Sequence, residues 1–246
     1  MHGTRVTVCY NYSPLQRLTM TFAPQLTKLV ATGVLLSAAV IGSAHANSVQ
    51  VSETTLGAGI YSGGLVLPVQ SGAADFWTGF QEIKVTSSAG SNSFQAFCID
   101  PFQFSSHTPT TYDQTTLSPT FGAAKVTNIT KLFNFGYADA VGNNLNAAAM
   151  QLALWEIAND DGNLSTGAVH KTGSTNAALV TQTNYLLSNY ASASATSLYN
   201  FTFYKSAGQQ DFVTVSAVPE PETYAMLLAG LGIMGAAVRR RKCKQV

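Results

Sequence analysis

The chain has 246 residues, of which 10% are charged, a formal net charge of +1 and three cysteines. The charge is unevenly spread: between Asn47 and Val218 five lysines face ten carboxylates, a net −5 without a single arginine. Such a surface cannot neutralise many phosphates, which argues against nucleic acid as a partner.

The first element is a leader. After Lys28 the apolar stretch "LVATGVLLSAAVIG" runs into Ala44-His45-Ala46, and cation, apolar core and small-x-small triplet in that order are what a signal peptidase cuts. Residues 1–46 are therefore read as leader and signal peptide, with Met1 or Met20 as initiator and cleavage beside Ala44 and Ala46. The mature chain begins near Asn47. About 170 residues follow before the tail, enough to bury a core without disulfide staples.

Within that stretch "SVQVSETT", "FQEIKVTS" and "SFQAFCID" are rich in β-branched and aromatic residues and are separated by Gly and Ser clusters, so they are expected as strands. From Gly122 the apolar positions Ala123, Val126, Ile129, Leu132 and Phe133 recur at helical spacing until Gly136, where the run is expected to end. A second helix is expected over Leu145 to Asn159, capped by Asn143 or Asn144 and stopped by the turn "NDDG". A third covers Thr175 to Tyr190. "SLYNFTFY" and "DFVTVSA" then form a closing hairpin around Gly208. The fold class is α+β: one β-rich exported domain, residues 47–218, with a central helical insertion.

The second helix, "NAAAMQLALWEIAND", is apolar on nearly every side and must be buried. Gln151 lies in its middle, and a buried amide without partners costs about 1–3 kcal/mol. Of the three cysteines, Cys9 falls in the leader and Cys243 in the tail, leaving Cys98 alone in the exported domain with no internal disulfide partner. It is free, paired between chains or bonded to something else.

"FQAFCID" and "AAMQLALWEI" together resemble the two halves of a thioester domain of surface adhesins. Phe97-Cys98-Ile99-Asp100 occupies the strand motif, and Gln151, Ala153 and Trp155 occupy the helix motif. The resemblance implies a thioester between Cys98 and Gln151, with Phe97, Asp100 and Trp155 shielding and supporting it. It also implies an amine-bearing surface ligand as the partner. The bland alternative is a core cysteine beside a glutamine that bonds main chain, in a passive domain that holds exopolysaccharide through Trp77, Phe102 and Tyr112.

Other chemistries have thinner support. His107 and His170 offer themselves as bases for Cys98, but no hydrolase signature surrounds the cysteine and no GxSxG is present. The four histidines are scattered, and "NDDGN" lacks calcium-loop spacing, so no metal, cofactor or enzymatic turnover is expected.

The last element, residues 219–246, follows Val218 and is "PEPETYAMLLAGLGIMGAAVRRRK" with a short extension. Its apolar run spans about 22 Å as a helix, against about 30 Å for a bilayer core. The cluster Arg239, Arg240, Arg241 and Lys242 stays on the cytoplasmic side and sets the preceding domain outside. Pro219, Glu220 and Pro221 hold the chain extended before the helix. Gly230-Leu231-Gly232-Ile233-Met234-Gly235 fits GxGxxG, but without a following βαβ unit its glycines read as small faces for packing in lipid. The whole segment resembles the PEP-CTERM sorting signal. That resemblance implies an exosortase substrate of a Gram-negative bacterium, held transiently in the inner membrane by a short transmembrane helix. The substrate is cut at Pro219 to Pro221 and delivered to the cell surface or extracellular matrix.

Overall fold

The computed structural model describes residues 47–218 and, in the tail, residues 226–231 and 233–234, which are helical and, where described, exposed. The expectations for Ala44, Ala46, Pro219, Glu220, Pro221, Arg239, Arg240 and Arg241 fall outside these residues, as do both ends of the tail's apolar run. Among the described residues no helix is long and apolar enough to cross a membrane.

The order is β1 (Asn47–Val66), β2 (Ala74–Ser87), β3 (Gly90–Cys98), β4 (Thr110–Thr115), α1 (Ser118–Ala140), α2 (Asn144–Asn159), β5 (His170–Lys171), α3 (Ala177–Asn189), a 3-10 turn (Tyr190–Ser192), β6 (Tyr199–Lys205) and β7 (Phe212–Ala217). All pairings are antiparallel, and neighbours run β2-β3-β7-β6-β4-β1-β5 with β1 also joined to β2. Six strands thus close into a ring, with β5 added at the end of β1.

Closure depends on the length and bending of β1. It runs beside β2 from Gln50↔Thr86 to Leu65↔Ala74 with three register shifts, while its start pairs with β4 and its end with β5. Such bulges bend a strand and strengthen its twist. One lies next to Gly59, which faces Gly79. A Cβ on Gly59 would sit 2.3 Å from the Thr78 carbonyl oxygen, and Gly79 has φ +136°, so the two backbones meet only because both residues lack a side chain.

The helical insertion follows β4. Every residue of α2 from Ala147 to Ala158 is buried, against α1 and α3 on one side and β1, β2 and β3 on the other. Its N-cap Asn143 accepts from the Asn146 N–H at 3.0 Å, and Asn144 Oδ1 accepts from the Gly59 N–H at 3.3 Å, which fixes the start of the helix against the bulged strand. Phe97 joins sheet to helices: its ring lies 4.2 Å from Phe80 and 6.0 Å from Phe133 of α1.

The expected α+β architecture, the three helices and the closing hairpin are present. Three boundaries differ. The first helix does not stop at Gly136 but runs on to Ala140, because Gly136 is where Leu186 and Met150 approach closest, 2.9 and 3.3 Å from a virtual Cβ. Its actual irregularity is Gly122, at φ +72°. Strand β4 and the second half of β1 were not expected as strands; "GAGIYSGG" carries too many glycines to show alternation.

Candidate functional site

Cys98 is the last residue of β3, and its strand neighbour on one side is Phe212 of β7. On the other side the β2–β3 ladder ends at Gln81↔Ala96, short of Cys98. Gln151 takes over there. The Cys98 N–H donates to Gln151 Oε1 at 3.1 Å, and Gln151 Nε2 donates to the Cys98 carbonyl at 2.6 Å. Adding one carbonyl bond of about 1.2 Å leaves the amide carbon within about 4.3 Å of the Cys98 nitrogen. Both residues are buried, Cys98 at 2% and Gln151 at 1% exposure.

Two turns farther along α2, Asn159 Nδ2 donates to the Ile99 carbonyl at 2.6 Å. Positions 151, 155 and 159 share one helical face, so two amides fasten that face to the end of β3 with Trp155 between them. The role of Asn159 was not anticipated, although its spacing of eight from Gln151 was there to be read. Trp155 is buried and its Nε1 has no partner.

The remaining expected residues divide by location. Phe97 belongs to the aromatic core. Asp100 Oδ1 accepts the Phe102 N–H at 2.7 Å and turns the chain out of β3. Tyr112 is a correction to the set of sugar-facing aromatics: it is buried, with its hydroxyl donated to the Gln210 carbonyl at 3.0 Å. Phe102 is exposed. His107 bonds the Glu53 carbonyl oxygen and His170 that of Gly167; neither hydrogen-bonds Cys98.

Burial, followed by the charges of Glu53 and Asp100, pushes the Cys98 thiol well above its ordinary range. At neutral pH it keeps its proton. Any reaction at its sulfur must hand that proton on, and the Gln151 side-chain nitrogen is within the same hydrogen-bonded pair.

A groove of about 360 Å³ opens beside Trp155, with Glu53, Tyr61, Asp75, Trp77 and Gln81 among its walls. Tyr61 and Trp77 meet edge to face at 5.1 Å. Two of the residues that line it also carry buried polar atoms without a partner among the described residues, Gln81 Oε1 and Trp155 Nε1.

Residues 217–242 match the PEP-CTERM protein-sorting motif. That motif marks an exported, membrane-sorted surface protein processed by an exosortase. No curated protein matches the chain. Among solved structures, the chain is similar to the N-terminal thioester domain of a surface protein from Clostridium perfringens, at 14% identity and a TM-score of 0.39, over 64% of this chain and 99% of that one. It is similar also to the thioester domain of the Staphylococcus aureus TIE protein, at 13% identity and a TM-score of 0.40, over 69% of this chain and 78% of that one.

Proposed function

We propose that the exported domain is a covalent adhesin or matrix cross-linker whose reactive bond is a thioester between Cys98 and Gln151. The observation that carries this reading is the paired hydrogen bonding of the Gln151 amide to the Cys98 main chain. The Cys98 N–H points at Oε1, where negative charge develops when the sulfur adds to the carbonyl carbon. Sγ then bonds to Cδ, the C–N bond breaks, and the nitrogen leaves as ammonia with the thiol proton. Burial keeps water from the bond that results. A primary amine of a surface ligand displaces the sulfur, forming an amide and restoring the thiol. Each chain acts once, so the protein is a trap and not an enzyme.

Intact mass tests it. The exported chain, kept from amines, should weigh one ammonia less than its sequence and should take up one methylamine on Gln151 while releasing one thiol. An unmodified mass with one titratable thiol removes the covalent reading.

A second reading, passive retention of exopolysaccharide, draws support from the groove and the edge-to-face pair Tyr61 and Trp77 in its wall. The chain's two tryptophans, Trp77 and Trp155, both line it. Their fluorescence should respond saturably to a neutral or amino-bearing oligosaccharide, and an unchanged spectrum would count against this reading.

A further inference from the structure

Glu156 stands in the last turn of α2, fully buried, and Asp160 and Asp161 follow immediately. One carboxylate oxygen from each lies within 4.8 Å of the other two. Oxygens that share a calcium ion sit 2.3–2.6 Å from it and hence no more than about 5 Å from one another. Proximity of acids alone would carry little. The second observation is that Glu156 Oε1, inside the protein, has no hydrogen-bond partner, whereas Oε2 accepts the Asn163 N–H at 3.1 Å. A buried carboxylate oxygen left in that state is costly and calls for a counter-charge.

The surroundings hold the other two carboxylates in place. Asp160 Oδ2 accepts the Val169 N–H at 2.6 Å, and Asp161 accepts the Asn163 N–H and the Thr166 hydroxyl, each at 2.8 Å. From the packed helix α1, Lys125 directs its ammonium to the Ala158 carbonyl at 2.8 Å instead of to the acids. The donor set is all oxygen, with no histidine or cysteine, which suits a hard cation. It sits on an irregular loop whose geometry is better matched to calcium than to the strict octahedron of magnesium.

We propose that Glu156, Asp160 and Asp161 bind one calcium ion, with water completing its coordination. The ion would tie the end of α2, the helix that carries Gln151 and Trp155, to the loop leading into β5.

The test uses the full chain in detergent, stripped with a chelator and titrated with calcium chloride by calorimetry. A Kd on the order of 10⁻⁴ to 10⁻³ M is expected, as is usual for extracellular calcium modules. At a tenfold excess over Kd the Tm should rise by about 3–5 °C. Glu156→Gln keeps the shape and removes the charge, so both heat and Tm shift should vanish. Asp161→Asn, at an exposed position, should fold normally and weaken binding at least about fivefold. The proposal fails if calcium produces neither heat nor Tm shift up to about 10 mM. It fails equally if both variants respond like the parent, or if magnesium binds more tightly.

Discussion

Gln151 stands at Cys98 where a neighbouring strand would otherwise pair: one side-chain amide accepts from the cysteine N–H at 3.1 Å and donates to its carbonyl at 2.6 Å. It satisfies itself and two main-chain groups at once. Gln151→Ala removes all of this inside the protein and leaves a peptide unpaired, at about 2–4 kcal/mol. Cys98→Ala removes one sulfur and leaves the peptide in place, at about 1–2 kcal/mol. Urea unfolding of the two variants should rank them in that order, and the double variant should fall short of additivity because the residues are in contact.

Reactivity of the thiol follows from its burial. With Cys9→Ser and Cys243→Ser in place, Cys98 is the sole cysteine. Its 2% exposure and its upward-shifted ionisation predict no modification of the folded chain by a thiol reagent at pH 8. Labelling should appear only in denaturant. Rapid labelling of the native chain would contradict both the packing and the ionisation.

Much of this arrangement was legible in the sequence, for identifiable reasons. The run Ala147 to Ala158 is apolar on nearly every side, which forces a buried helix and brings Gln151 inside. A lone exported cysteine drew attention to Cys98. What could not be read was contact across distance. Asn159 looked like the end of a helix and is a second clamp on β3, because its partner, the Ile99 carbonyl, is main chain and leaves no trace in composition. Glu156 is fully buried, with two aspartates brought back beside it by the turn that follows. Gly136 was expected as a stop; in the helix its small size serves close packing under Leu186 and Met150. A glycine at a contact and a glycine at a terminus read alike in one sequence.

The glycine pair across β1 and β2 predicts sensitivity to a single added methyl. Gly59→Ala puts a methyl 2.3 Å from the Thr78 carbonyl oxygen and 2.9 Å from the Gly79 Cα, atoms of the backbone that cannot rotate away. Gly79→Ala meets the Ala58 carbonyl oxygen at 2.4 Å and must also hold φ +136°. Each should cost about 2–3 kcal/mol or more. Gly208→Ala, in the β6–β7 turn with open space around it, serves as the control and should be nearly neutral. Thermal melts of the three would separate them.

Two buried carboxyls set the pH dependence of stability. Burial pushes Glu156 up to about 8, helped by Asp160 and Asp161, and pushes Asp211 up to about 7 although the Ser206 N–H donates to it at 2.7 Å. In the unfolded chain both titrate near 4. Between those values the folded state holds protons that the unfolded state has released, so stability falls as pH rises. The contribution is fully present below about pH 4 and is lost by about pH 8, at roughly 1–2 kcal/mol per group once solvent screening is allowed for. Urea midpoints measured in chelator should therefore decline from pH 5 to pH 8. In Glu156→Gln, whose neutral amide no longer titrates, the decline should shrink by about half and the midpoint at pH 8 should exceed that of the parent. A parent curve that rises through this range would show that Glu156 and Asp211 ionise in the fold as ordinary surface acids do.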